Sequence, residues 1–353
     1  MSRRYYLMIL FALLLLAIKG CENLSYYSQA IDGHLTVISS RKPVDRLIDD
    51  PRGSQDLREQ LRLARDVRQF AIDRLALPDN ESYRTFVDTE RNYVSWAVFA
   101  APPLALNVNL WCFPVVGCVP YRGYFSEEAA DRFAAETAAQ GFDVYVGGIP
   151  AYSTLGWFND PLLNTMFLYG ETYVAGVVFH ELAHQQIYIP DDAAFNEAFA
   201  VSVEDSGTKL WLEDQSNQDA IRRYRTAQKR NQDFLALVGR TRDRLQRIYT
   251  SEKSDAQKLA EKEAEIERLR SRYRKLKRTK WDGFSGYDGW FKAPINNAKL
   301  ATISVYNDLV PAFLDLLELC DGDYVRYYGA VESLGKLDRV RRREALTNAS
   351  ECV

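Results

Sequence analysis

His180-Glu181-Leu182-Ala183-His184 closes an uncharged run, Tyr173-Val174-Ala175-Gly176-Val177-Val178-Phe179, and no other stretch constrains the fold as much. Positions four apart on an α-helix differ by only about 40° around its axis, so both imidazoles point the same way, one turn apart. One cation can reach both. H-E-x-x-H on a helix is a short arrangement that joins two metal-binding imidazoles to a carboxylate base. The 353 residues contain three histidines, and two of them lie here. The spacing predicts a helix from about Thr172 to Ile187, stopped before Pro190. A helix apolar all round is buried, and a buried site strengthens an ion's pull on a bound carbonyl. The competing reading is a buried helix whose histidines only satisfy polar neighbours.

Catalytic zinc usually takes three protein ligands and leaves a fourth position to water. The next element, opened by Asp191-Asp192 as caps, reads Ala193-Ala194-Phe195-Asn196-Glu197-Ala198-Phe199-Ala200, again helical and mostly apolar. Glu197 stands alone there, and a buried carboxylate is costly unless it meets a cation. His180, His184 and Glu197 are therefore the candidate ligands of one Zn2+ per chain, with a helix cap or an arginine partner as the alternative for Glu197. Glu204 or Asp205 can accept a histidine N–H behind the ligands. Glu181 takes the general-base role, moving a proton from the attacking water to the leaving amine. A donor for the developing oxyanion is also needed. His34, near the processed end, is a poor candidate, and Tyr152, Tyr188 and Tyr306 are the tyrosines considered.

Arg3 and Arg4 precede an uncharged run from Tyr5 to Ile18. It is shorter than a transmembrane helix of about 20 residues and fits a signal-peptide core. Ile18-Lys19-Gly20-Cys21 resembles a bacterial lipobox, with Lys19 replacing the usual small residue, and Glu22 follows in the pattern of outer-membrane sorting. The expectation is a lipid on Cys21 anchoring the chain to the outer membrane, facing the periplasm; an uncleaved short anchor is the alternative. Cys112, Cys118, Cys320 and Cys352 then remain, an even number in an oxidising compartment. Local pairs, Cys112 with Cys118 and Cys320 with Cys352, are the simplest of three connectivities. No pair of C-x-x-C knuckles points to a cysteine metal site.

A net charge of −3 with 26% charged residues leaves no basic field for nucleic acid. At 47% hydrophobic the chain can bury a sizeable core, as one large domain or two intimate ones. Ile31 to about Arg84 reads helical. Tyr93 to Tyr124, rich in aromatics and proline, reads as strands and loops. Ser126 can cap a helix through about Gln140, ahead of a strand from Phe142 to Val146. Ala151 to Leu155 reads as a short extended edge along which a peptide could add itself by main-chain hydrogen bonds.

From about Leu212 to Lys280 charged helix formers dominate, with apolar residues at three-four spacing, and the economical account is an antiparallel helical hairpin. It is a structural arm, a gate or a surface for a protein partner. The glycine-aromatic stretch Trp281 to Phe291 either lines a specificity pocket or packs on that hairpin. Asn296 and Asn297 either cap a helix or hold a substrate backbone. The expected division is residues 1–20 as signal peptide, 21–211 as helical region and metal core, 212–280 as hairpin, and 281–353 as helices completing the cleft.

Trp111-Cys112-Phe113-Pro114, Gly117-Cys118-Val119-Pro120-Tyr121-Arg122-Gly123-Tyr124-Phe125, Ala151-Tyr152-Ser153-Thr154-Leu155-Gly156-Trp157-Phe158, Phe179 to Gln185 and Phe195 to Ala200 together resemble the predicted bacterial zinc aminopeptidase family of lipoproteins. The resemblance runs from about Ser28 to Leu317. It implies an α+β, mainly helical, zincin-like fold of the gluzincin kind, periplasmic exposure and peptide hydrolysis, with His180, His184 and Glu197 as metal ligands and Glu181 as base. The Gly-x-Met-Glu-Asn exopeptidase motif is absent, so no residue is assigned to grip a free substrate amine. The expectation is an aminopeptidase; a zinc endopeptidase of envelope quality control and a non-catalytic envelope interaction protein are the alternatives.

Overall fold

The computed structural model describes residues 26–113, 117–151, 153–154, 158–305 and 309–352, with side chains omitted at 304 and 305. Residues 26–39 form helix α1, followed by β1 (Lys42–Pro43), α2 (Val44–Asp49) and α3 (Gln55–Leu75). The region from Ile31 to about Arg84, expected to be helical, is divided into three helices, the last ending at Leu75. Pro43 sits in β1, and the chain turns left-handed at Ala76, φ 49°, ending α3. Ser54 starts α3 by accepting the Leu57 N–H at 3.0 Å.

Short strands follow: β2 (Thr85–Val87), β3 (Ser95–Ala101), β4 (Trp111–Phe113), β5 (Gly117–Val119) and β6 (Arg122–Tyr124). Then come α4 (Glu127–Ala139), capped by Ser126, β7 (Asp143–Ile149) and β8 (Leu162–Leu163). Strand β3 pairs antiparallel with β6 on one side and β7 on the other. Side chains alternate across a strand. Trp96 and Val98 accordingly meet Ala130 of α4 on one face, while Ala97, Phe99 and Ala101 meet Ala298 on the other. β7 runs further than the expected Phe142–Val146, through Gly147 and Gly148. A side chain at Gly148 would strike the Tyr93 ring, 2.5 Å from the Cβ position. Ala151, Ser153 and Thr154 lie in no strand; the edges of this sheet are β6 and β7.

A 3-10 turn, Asn164–Tyr169, leads through Gly170 into α5 (Glu171–Gln186). Gly170 has φ 88°, a conformation costly for any residue with a Cβ, which lets the chain reverse into the buried helix. α6 (Ala193–Asp214) then folds back along α5, with Asp192 as its cap. α7 (Gln218–Tyr249) and α8 (Asp255–Thr279) pack against each other as a long pair with a capping box at Ser254 and Gln257. The chain closes with α9 (Asp288–Lys292), α10 (Asn297–Val305), α11 (Val310–Leu319), α12 (Tyr324–Gly335) and α13 (Arg339–Thr347).

The architecture is α+β and mainly helical. Its main core joins α3, α5 and α6 to α11 and α12 through Leu61, Phe179, Phe199, Phe313 and Tyr327. Phe234, Val238 and Leu269 of the α7–α8 pair form a second core with Trp281 and Phe291. Disulfides join Cys112 to Cys118, directly opposed on β4 and β5, and Cys320 to Cys352. Among the described residues no helix is long and apolar enough to cross a membrane.

Candidate metal centre

Helix α5 carries both histidines on the side that faces α6. Two glycines let the helices approach: Gly207 admits Leu75 and Phe179, and Gly176 leaves room for Glu204. The turn between the helices is fixed by Asn196, whose amide accepts the Ile189 N–H at 2.8 Å and donates to its C=O at 2.7 Å. Arg342 of α13 pairs with Asp192 at the start of α6, which anchors this end of the helix. Glu197, next along, is thereby aimed at the histidines.

His180 Nε2 and His184 Nε2 lie 3.2 Å apart. Glu197 places Oε2 3.5 Å from His180 Nε2 and Oε1 3.7 Å from His184 Nε2. An ion held tetrahedrally by bonds of about 2.0–2.1 Å needs its donors roughly 3.3–3.4 Å apart. The three side chains fit a small divalent ion without moving far, and among the described residues they are the group of three or more His, Cys, Asp or Glu donors close enough to do so. Burial opposes charge on His180, yet its hydrogen bonds with Glu197 and Glu204 raise it well above the usual imidazole value. Burial likewise pushes Glu197 up, but His180 and His184 hold it well below the usual carboxylate range. Glu181, Glu197 and Glu204 all act on His180, a concentration of negative charge that calls for a cation.

Glu204 stands behind the pair, its Oε2 3.0 Å from His180 Nδ1. Asp205 does not share that role. Its carboxylate accepts Gln228 Nε2 at 2.6 Å and the Tyr224 hydroxyl at 3.3 Å, and burial raises it to about 6. The helical repeat explains the division, since adjacent residues point about 100° apart and only one can face α5. His184 Nδ1 is buried and has no hydrogen-bond partner.

Glu181 lies on the neighbouring face of α5, one turn before Gln185. Gln185 is tied down on that face: it accepts from Asn80 Nδ2 at 2.7 Å and donates to Asp160 Oδ2 at 3.1 Å. Asp160 also receives the Thr154 N–H and hydroxyl, at 3.0 and 2.8 Å, and burial pushes it up to about 6. Tyr121 is on the turn between β5 and β6 and against the Phe99 ring; burial first, then the charges of Glu197 and Glu181, push its phenol above the usual range. The β4–β5 hairpin before it is docked on the α5–α6 connection by Cys118 N–H donating to Asp191 at 3.1 Å. Sequence reasoning passed over Tyr83, Tyr121, Asp160 and Gln185; the signal was available for Gln185, which directly follows His184, and for Tyr121 within its long motif.

Other sequence candidates fall elsewhere. Asn297 is fully buried: its amide donates to the Pro102, Pro103 and Ala105 carbonyls and accepts the Tyr249 hydroxyl at 2.8 Å. Asn296 caps α10 by accepting the Lys299 N–H and donates to the Val144 C=O. Both side chains are engaged in joining α10 to β7 and the hairpin, which is the capping and packing alternative rather than a hold on a substrate backbone. The stretch from Trp281 to Phe291 packs on the hairpin, with Tyr287 stacked on Phe234 and Phe291 on Tyr273. Tyr188 is half-buried and lies near Glu197. His34 lies against the Phe158 ring, with centroids 4.7 Å apart and the rings tilted by 59°. Tyr152, Tyr306 and Cys21 lie outside the described residues.

Fold and site together define a mainly helical α+β protein with a His-His-Glu cluster suited to a divalent metal. Over residues 25–346 the chain matches the putative aminopeptidase family, and it belongs to that family. No curated protein and no solved structure matches it.

Proposed function

We propose that the chain is a zinc-dependent peptidase with a zincin-like active site, acting as an aminopeptidase. The observation that carries this reading is the convergence of His180, His184 and Glu197 at ligand spacing with Glu181 one residue from the first histidine. Those three residues would hold the zinc, which when bound makes water acidic near neutral pH and polarises a carbonyl. Glu181 accepts the proton of the attacking water and delivers it to the leaving amine. Glu204 holds the Nδ1 proton of His180, so that Nε2 presents its lone pair. Tyr121 is a phenol suited to donate to the developing oxyanion of the scissile carbonyl. The peptide is read as an added strand on the edge of β7.

A lipid on Cys21, following the Arg3-Arg4 and apolar stretch, would hold the enzyme at the outer membrane facing the periplasm, where the α7–α8 pair is free to meet a protein partner. Zinc stoichiometry of purified protein, joined to a panel of free and N-acetylated peptides, tests the function. The expected result is about one zinc per chain and cleavage that stops when the amine is blocked. Equal cleavage of blocked peptides would make it an endopeptidase; no zinc and no cleavage would remove the peptidase reading.

A further inference from the structure

Tyr83 is held in a conformation that tyrosine rarely adopts, with φ 64°. It is 2% exposed, and its hydroxyl is a buried polar atom with no hydrogen-bond partner. Left-handed backbone at a bulky residue is strained and persists only where the surroundings impose it. Here they do. The Tyr83 N–H donates to the Asp160 C=O at 2.6 Å, and Asp160 N–H donates to Ser82 Oγ at 3.2 Å. Arg68, itself buried, donates to the Ser82 C=O at 2.9 Å and also to the Asn80 C=O and Asp79. Asn80 and Asp160 in turn grip Gln185.

This clamp presses the Tyr83 loop onto one face of α5. Gln185 marks that face, and Glu181 lies one turn away on it. A buried hydroxyl without a partner is expensive, so a strained backbone and an orphaned donor at the same residue need a common explanation. Burial first, then the negative charge of Glu181 and of Asp160, keeps the phenol protonated as a donor. Ser82, Arg68 and Gln185 satisfy one another without it, so the clamp would hold equally well with phenylalanine at this position.

We propose that Tyr83 is a positioning residue for Glu181: in the working enzyme its phenol donates to one carboxylate oxygen and leaves the other aimed at the attacking water. The hydrogen bond fixes which oxygen collects the proton and keeps the side chain from turning away between turnovers. The idea rests on the peptidase function proposed above and adds to it a residue outside the metal ligands and the base.

Tyr83→Phe tests it, because the ring and the packing remain. The expected result is a kcat lower by about 10- to 100-fold, the range for lost orienting partners at metal sites, with KM and zinc content unchanged. The melting temperature should hold or rise, since an unpaired buried hydroxyl has been removed. Wild-type turnover by the variant overturns the proposal alone, and so does a lowered melting temperature that accounts for the lost activity. Absence of any peptide cleavage by the wild type would overturn the peptidase function, and this proposal with it.

Discussion

Glu204 reaches His180 directly across Gly176: its Oε2 is 3.0 Å from Nδ1, and its Oε1 would be 3.1 Å from a Cβ placed on the glycine. Removing the acceptor should loosen the metal while sparing the fold. Glu204→Ala is expected to weaken zinc binding by about 10- to 100-fold in a chelator competition, with an unchanged circular dichroism spectrum. Gly176→Ala should act in the same direction and less, because Glu204 is flexible and needs to yield only a few tenths of an ångström. Unaltered zinc affinity in Glu204→Ala would contradict the role.

Base and ligand should separate cleanly. Glu181→Gln keeps both imidazoles and Glu197, so zinc content should stay at the wild-type level while turnover falls roughly a thousandfold. Glu197→Ala removes a donor and should lower zinc affinity first, with activity following it. Metal analysis and peptide assays on the same two preparations decide the matter; loss of zinc from the first variant would count against it.

Asp160 makes stability depend on pH. Its folded value of about 6 stands above the ordinary 3.8, so the folded chain binds this proton more tightly than the unfolded chain. Below pH 3.8 both states are protonated and the contribution is whole. It is lost as pH rises to about 6, and the whole effect is at most ~3 kcal/mol. Asp160→Asn should flatten the fall in melting temperature across that window. Asp205, also raised to about 6, leaves a residual slope. An unchanged slope in both single variants would sink the assignment.

Much of the site was legible because helices obey a fixed period. The uncharged run before His180 marked α5 to within a residue at each end, and the isolated carboxylate at 197 marked the face of α6. What the sequence did not carry was long-range partnership. Asn296 and Asn297 looked like a pair beside a cleft, yet their partners are carbonyls at Pro102, Pro103, Ala105 and Val144, far away along the chain. Asp205 and Glu204 are equivalent in composition, and only the packing of α5 against α6 and of Gln228 against Asp205 separates them. The break in the first helical stretch was written in Pro43 and in Pro78-Asp79-Asn80, but apolar spacing from Leu57 to Leu75 dominates that region.

Asn297 is a structural joint, and its loss should be felt in stability before catalysis. Asn297→Ala would leave the Tyr249 hydroxyl and three carbonyls without their partner at a site that is 0% exposed. Each unpaired buried group costs about 1–3 kcal/mol, so a drop of several kcal/mol in unfolding free energy is expected. At a temperature well below the melting point KM should match wild type, because no substrate contact has gone. A raised KM with normal stability would restore the substrate-binding role.

Tyr121 can be separated from a packing residue by what its hydroxyl alone does. The ring rests on Phe99, an interaction that phenylalanine would keep, and burial first, then the charges of Glu197 and Glu181, keep the phenol protonated as a donor. Removing one oxyanion donor costs on the order of 100- to 1,000-fold in kcat in well-studied hydrolases. Tyr121→Phe should therefore lose activity on that scale while retaining zinc and its melting temperature. The loss belongs in kcat rather than KM, because the donor strengthens its bond only as charge develops on the carbonyl oxygen. An inhibitor that mimics the tetrahedral state, a phosphonate dipeptide, should weaken by a similar factor, whereas a product amino acid should bind as before. Equal effects on both ligands would mean that the hydroxyl only shapes the cleft, and the donor would have to be sought among other tyrosines.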